Sequence, residues 1–226
     1  MNNSFNDNKD LNSNEVSYTM IKIIILLVTL QISRIIIKQL VFLYLPYSKL
    51  NEMLISMFIM SLFIFFIISK AKKENLKLDV FSYIKSNESR NYYILVTVCI
   101  LLLILTSPSF ISKPSFESLT PLLYTIIIIP IYEEILFRSY IWNVLKKEHE
   151  DDRKVYFLTT ALFSLYHIGY VDRIVMTSGL NKIAWVILIK CSLMLSYGIF
   201  IGFFRYKIKN SYSCILVHSF INIFGR

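Results

Sequence analysis

Residues 92–107 read YYILVTVCILLLILTS, a block with no ionisable side chain except a thiol and two phenols. Blocks of this kind recur along the whole chain, and they constrain its fold more than any other feature. Apolar runs near 20 residues long match the thickness of a bilayer core. In lipid, a backbone can satisfy its own polar groups only as a helix or a closed barrel. Uninterrupted apolarity, with no period-two alternation, selects the helix. Hydrophobic residues make up 55% of the chain against 5 Gly in 226 residues, well beyond the apolar share of a soluble domain. The expected fold is therefore all-α, a polytopic membrane helical bundle.

The blocks predict about seven spans, at 18–45, 53–69, 92–107, 119–145, 155–171, 183–205 and 211–224, forming a single transmembrane domain over 18–226. Several are short for a bilayer core and require tilt or local thinning. The polar, Asn-rich residues 1–17 read as a disordered cytosolic tail. The connection from Lys70 to Arg90 has the composition of an amphipathic surface helix. No internal repeat is evident, which argues against a transporter.

The net charge of +9 is no nucleic-acid signal, because the lysines fall in short loops between spans. Thirteen Lys and Arg lie at 70–90, 146–154 and 205–209, against five at Lys49, Lys113, Arg173, Lys182 and Arg226. The positive-inside rule then places the N-terminus in the cytosol and the C-terminus outside, with anionic lipid as the partner of the basic loops. Cys99, Cys191 and Cys214 sit in apolar blocks at unrelated spacing, so neither a disulfide framework nor a thiolate metal site is expected.

Against this apolar background stands PIYEEILFRS, residues 130–139, with two carboxylates and a guanidinium inside a span. Buried charges in a membrane are expensive and mark function by default. Glu134 and Arg138 are four apart and share a helix face, so an ion pair is expected. Glu133, about 100° away, is left to point elsewhere. Pro130 should kink the helix and release the Ile126 carbonyl. At 1.5 Å per residue, Glu133 lies about 18 Å from the cytosolic end of its span, and His167 of FSLYH lies at a similar depth in the next. His218 and Asn222 of HSFIN lie at about 10 and 16 Å and share one face. Three helices thus bring their strongly polar residues to overlapping depths.

Such a set has hydrolytic capacity. A carboxylate beside an imidazole can hold and deprotonate water, and a second imidazole with an amide can stabilise an oxyanion. The same residues could instead hold a divalent cation such as zinc, although the HExxH signature is absent. Other polar residues read as structural. Gly198 and Gly202 permit close helix packing, and Arg34 and Lys38 snorkel or bury against other helices, with pairing to a substrate carboxylate as the alternative. Lys190 snorkels outward, and His149 is solvated in a charged loop.

EEILFR, FSLYH and HSFIN together resemble the three motifs EExxxR, FxxxH and HxxxN of the CAAX-protease and bacteriocin-processing family (CPBP, or Abi) of intramembrane proteases. The likeness covers about residues 115–226, in the family's order. It implies that Glu133 and His167 activate water, that His218 and Asn222 stabilise the oxyanion, and that Glu134 and Arg138 support them. Members act by a glutamate-dependent or a metal-dependent route, so the resemblance leaves the metal open. Ser139 stands where the family often has Gly. The Ile-, Lys- and Asn-rich composition is of the low-GC bacterial kind. The expected substrate is therefore a membrane-associated or small peptide of bacteriocin, quorum-sensing or leader type. The alternative is a non-catalytic immunity or scaffold protein of the same family.

Overall fold

In a computed structural model, which describes residues 3–80, 87–170 and 183–224, the apolar blocks are helices and no described residue lies in a strand. In chain order, α1 spans Asn3–Phe42, α2 Lys49–Lys73, α3 Asn87–Leu105 and the short α4 Pro108–Ile111. A long helix, α5, covers Phe116–Glu148. It is followed by α6 Asp152–Tyr166, a 3-10 turn His167–Tyr170, α7 Ile183–Ile208 and α8 Ser211–Phe224. Local chemistry sets the boundaries. Ser48 caps α2 by accepting from the Asn51 N–H, a Ser115–Ser118 capping box opens α5, and Asp151 caps α6 through the Arg153 N–H.

Among the described residues, four helices are long and apolar enough to cross a membrane: Ser17–Phe42, Lys49–Lys73, Phe116–Glu148 and Ile183–Ile208. The expected spans at 92–107 and 211–224 are the shorter apolar helices Arg90–Leu105 and Ser211–Phe224. The one expected at 155–171 is a helix of 15 residues finished by the 3-10 turn. The α1 backbone begins at Asn3, so it includes the stretch that composition assigns to a tail. Of the connection expected as a surface helix, 81–86 lie outside the described residues.

α5 is the axis of the bundle. Leu136, Phe137 and Ile141 on it are wholly buried, and α2, α6 and α8 pack around it. α1, α3 and α7 turn Ile25, Val28, Leu102, Leu188 and Ile189 outward, as a lipid-facing surface requires. α7 lies along α6 at close range because Gly198 and Gly202 face it. A Cβ on Gly202 would stand 2.8 Å from the Tyr156 ring, and one on Gly198 3.0 Å from the Phe163 ring. The packing role expected of both glycines is what the structure shows.

Charges gather at one end of the bundle. Arg205, expected as a loop cation, is instead buried; it donates to the Arg138 carbonyl at 2.8 Å and pairs with Asp79. Tyr140 donates to Glu74 at 2.8 Å, and Asn143 donates to the Lys77 carbonyl and to Asp79, which pins residues 74–79 to α5. Although burial works to raise it, hydrogen bonds from Lys70 and Tyr140 hold the Glu74 carboxyl below its ordinary value. Bonds from Lys146 and Lys209 do the same for Asp152. His149 is a correction: it is 8% exposed, not solvated, and burial pushes its imidazole pKa down.

Candidate active site

The site is built where α5 departs from α-helical geometry. Residues Tyr124–Ile128 and Ile135–Ile141 are wound as π turns, and the segment Ile129–Glu134 between them carries Pro130 and both glutamates. π turns in long helices are frequent at functional sites because they rotate the side chains that follow. The first turn also absorbs the proline. The Ile129 N–H reaches back to the Tyr124 carbonyl, five residues away. In that register the donor to Thr125 would come from position 130, where proline has none. The Asn222 Nδ2 donates to the Thr125 carbonyl at 2.7 Å. The acceptor made available by Pro130 is therefore Thr125, one residue earlier than the Ile126 that α-helical counting indicates, and α8 docks on it.

All six motif residues converge. The Glu133 Oε1 lies 3.6 Å from the His167 Nε2, with both side chains buried. The His167 Nδ1 is 2.8 Å from the Phe163 carbonyl. A carbonyl can only accept, so Nδ1 carries the hydrogen, and in the neutral ring Nε2 faces Glu133 with its lone pair. Two acceptors at 3.6 Å do not hydrogen-bond to each other, and a single donor held to one side can reach both. Phe163 and Tyr170 flank the imidazole, with ring centroids at 4.8 and 5.6 Å.

Glu134 and Arg138 form the expected pair, and it is dry: Arg138 is 1% exposed and Glu134 0%. Arg138 Nε lies 3.3 Å from Glu134 Oε2, and its Nη1 lies 3.4 Å from Oε1. The geometry at Oε2 is an ionic contact without an aligned hydrogen bond. The guanidinium also donates to the Gly198 carbonyl and sits 4.2 Å over the Phe163 ring. One bond in the cluster is not legible in the sequence. The His218 Nδ1 donates to Glu134 Oε1 at 2.8 Å, so Glu134 orients an imidazole as well as neutralising Arg138. Asn222 is held on both sides, accepting from the Tyr197 hydroxyl at 2.8 Å while donating to Thr125.

Glu133, His167, His218 and Asn222 line a cavity of about 420 Å³, walled also by Met60, Ile129, Met194 and Ile221. Tyr170, Tyr197 and Lys190 complete it. Lys190 is thus a correction, since it turns into the cavity and places its ammonium 4.9 Å from the Tyr170 ring centroid. Arg34 is buried, while Lys38 pairs with Glu52 at 2.9 Å. Sequence reasoning missed Tyr197 and Tyr170. Phenols scattered through apolar helices carry no spacing signal in a chain with 15 Tyr.

Ligands for a resident metal are sparse among the described residues. Among the described residues no group of three or more His, Cys, Asp and Glu side chains is arranged to hold one. Glu133 and His167 offer two ligands, while the His218 Nδ1 is committed to Glu134 and only its Nε2 is left to face the cavity.

Residues 115–224 match the family model of type II CAAX prenyl endopeptidases, Rce1-like. The matched segment runs from the cap of α5 through α8 and holds all six motif residues, as the motifs lead one to expect. No curated protein and no solved structure matches the chain.

Proposed function

We propose, from a second half that matches the Rce1-like endopeptidase model, that the protein is an intramembrane peptidase in which Glu133 activates water. The observation that carries this reading is the 3.6 Å approach of the Glu133 Oε1 to the His167 Nε2, in a cavity of about 420 Å³. Water held to one side of both acceptors donates one hydrogen to each and turns its oxygen lone pairs toward the substrate. Glu133 takes the proton as the water oxygen bonds to the peptide carbonyl carbon. The carbonyl oxygen becomes an oxyanion. His218 donates to it from Nε2 while Glu134 holds the ring through Nδ1, and the second hydrogen of the Asn222 amide supports it. When the C–N bond breaks, Glu133 returns its proton to the leaving amine. Arg138 holds Glu134 in place through its ionic contacts.

The substrate is a membrane-associated or small peptide, of the bacteriocin, quorum-sensing or leader kind, bound extended against Met60, Ile129, Met194 and Ile221. The site opens toward the cytosolic side, with the N-terminus inside and the C-terminus outside. A comparison of membrane peptides from a deletion strain complemented with wild-type or Glu133→Gln protein tests this. One precursor should accumulate in the deletion and in the Glu133→Gln strain and vanish with wild type. Restoration of the wild-type profile by Glu133→Gln would overturn the reading.

A further inference from the structure

His167 closes α6, and a helix end leaves carbonyls without intrahelical donors. The His167 Nδ1 takes the Phe163 carbonyl, and its backbone N–H takes those of Ser164 and Leu165. The next ones are served from α1, 135 residues away. The Gln31 Nε2 donates to the Tyr166 carbonyl at 3.1 Å, and the Arg34 Nη2 donates to the Gly169 carbonyl at 2.8 Å. The two side chains fix each other, with Arg34 Nε donating to Gln31 Oε1 at 2.9 Å. The guanidinium lies 4.6 Å over the Tyr170 ring, and that ring lies against His167. Gln31 and Arg34 are both buried. A cation at a helix C-terminus is also favoured by the helix dipole.

The turn is shaped to receive this pair. A Cβ on Gly169 would come within 2.5 Å of the Gln31 Cγ and Cδ, so only glycine lets Gln31 reach the Tyr166 carbonyl. α1 lies outside the segment that matches the protease family.

We propose that Gln31 and Arg34 are positioning residues that clamp the His167 turn so that Nε2 stays aimed at Glu133. The proposal rests on the reading of Glu133 and His167 as the water-activating pair. Through it, the N-terminal half of the chain acts on the chemistry of the C-terminal half. Misplacement of a catalytic group by about 1 Å can lower turnover by about 10²-fold, so a loosened turn should act on kcat.

The test uses purified full-length protein in lipid nanodiscs, with the fastest-cut peptide of a proteome-derived library as probe and 15N-histidine spectra as a second readout. Arg34→Ala and Gln31→Ala should each lower kcat by about 10–100-fold with KM within about twofold, and Arg34→Lys should recover part of the loss. The His167 spectrum should show Nδ1–H alone in wild type and a mixture of tautomers in Arg34→Ala. Gly169→Ala, which keeps every α1 side chain and serves if Arg34→Ala fails to fold, should match Gln31→Ala. The Gln31→Ala/Gly169→Ala double should be no worse than either single, because the clash requires Gln31. Wild-type kcat and an unchanged His167 spectrum in Arg34→Ala, Gln31→Ala and Gly169→Ala would overturn the clamp. If Glu133→Gln, run alongside, cuts the probe at the wild-type rate, or if wild type cuts nothing, the peptidase reading fails. The His167 spectra still decide the clamp in that case.

Discussion

Removing the Arg138 side chain should unbalance the site more than any other single truncation. Arg138→Ala deletes the ionic contacts to Glu134 at 3.3 and 3.4 Å, the bond to the Gly198 carbonyl and the stacking over Phe163. It leaves a carboxylate that is 0% exposed, with the His218 Nδ1 as the hydrogen-bond donor to Oε1 and none to Oε2. Breaking a buried pair from one side costs about 3–5 kcal/mol, because the surviving charge stays desolvated. In a Glu134→Gln background the surviving group is neutral, so only the lost contacts remain, about 1–2 kcal/mol. The two substitutions should therefore couple by about 2–3 kcal/mol, with Glu134→Gln relieving Arg138→Ala. Equilibrium unfolding in mixed micelles measures all four proteins of the cycle. An Arg138→Ala protein within about 1 kcal/mol of wild type, or costs that simply add, would refute the idea that this pair is dry and electrostatically closed.

Other expectations follow from neighbouring contacts. Asn222→Ala removes both the docking bond to Thr125 and a donor to the oxyanion, and kcat should fall by about 10²–10³ with KM nearly unchanged. A rise in KM alone would assign Asn222 to binding. Gly202→Ala drives a methyl toward Tyr156 and Thr160 and should destabilise by about 1–3 kcal/mol in the same unfolding assay, whereas a neutral result would mean that α6 and α7 can separate at no cost. A reporter fused after Arg226 should be active only outside the cytosol and one placed in 146–154 only inside; the reverse pattern would invert the orientation of the site.

The residues of the site were legible because they are costly. Glu133, Arg138, His167 and His218 stand out in apolar helices, and counting along each helix brings them to one depth. Their partners were less visible. The π turns of α5 leave no mark in YTIIIIP, where every residue but Thr and Tyr is apolar and any helical register is equally greasy. Without them, Pro130 points to the Ile126 carbonyl in place of Thr125. The Glu134–His218 bond links positions 84 apart, and no helix-face rule reaches across that distance. Arg34 and Lys190 were seen as charges in spans, but whether such a charge snorkels or faces a cavity depends on how its helix is rotated. The neighbouring helices fix that rotation, and uniformly apolar faces do not encode it.

The central claim is that Glu133 is the base that takes the proton of the attacking water. Its most direct test is turnover of one membrane-inserted peptide by purified wild-type and Glu133→Gln protein, with and without a chelator. Glutamine keeps the size and the hydrogen-bonding reach of the side chain but cannot accept the proton. The account predicts that Glu133→Gln folds and binds peptide while losing essentially all turnover, and that the wild type keeps its rate in chelator. Wild-type turnover by Glu133→Gln, or a wild-type rate abolished by chelator and restored by zinc, would contradict it.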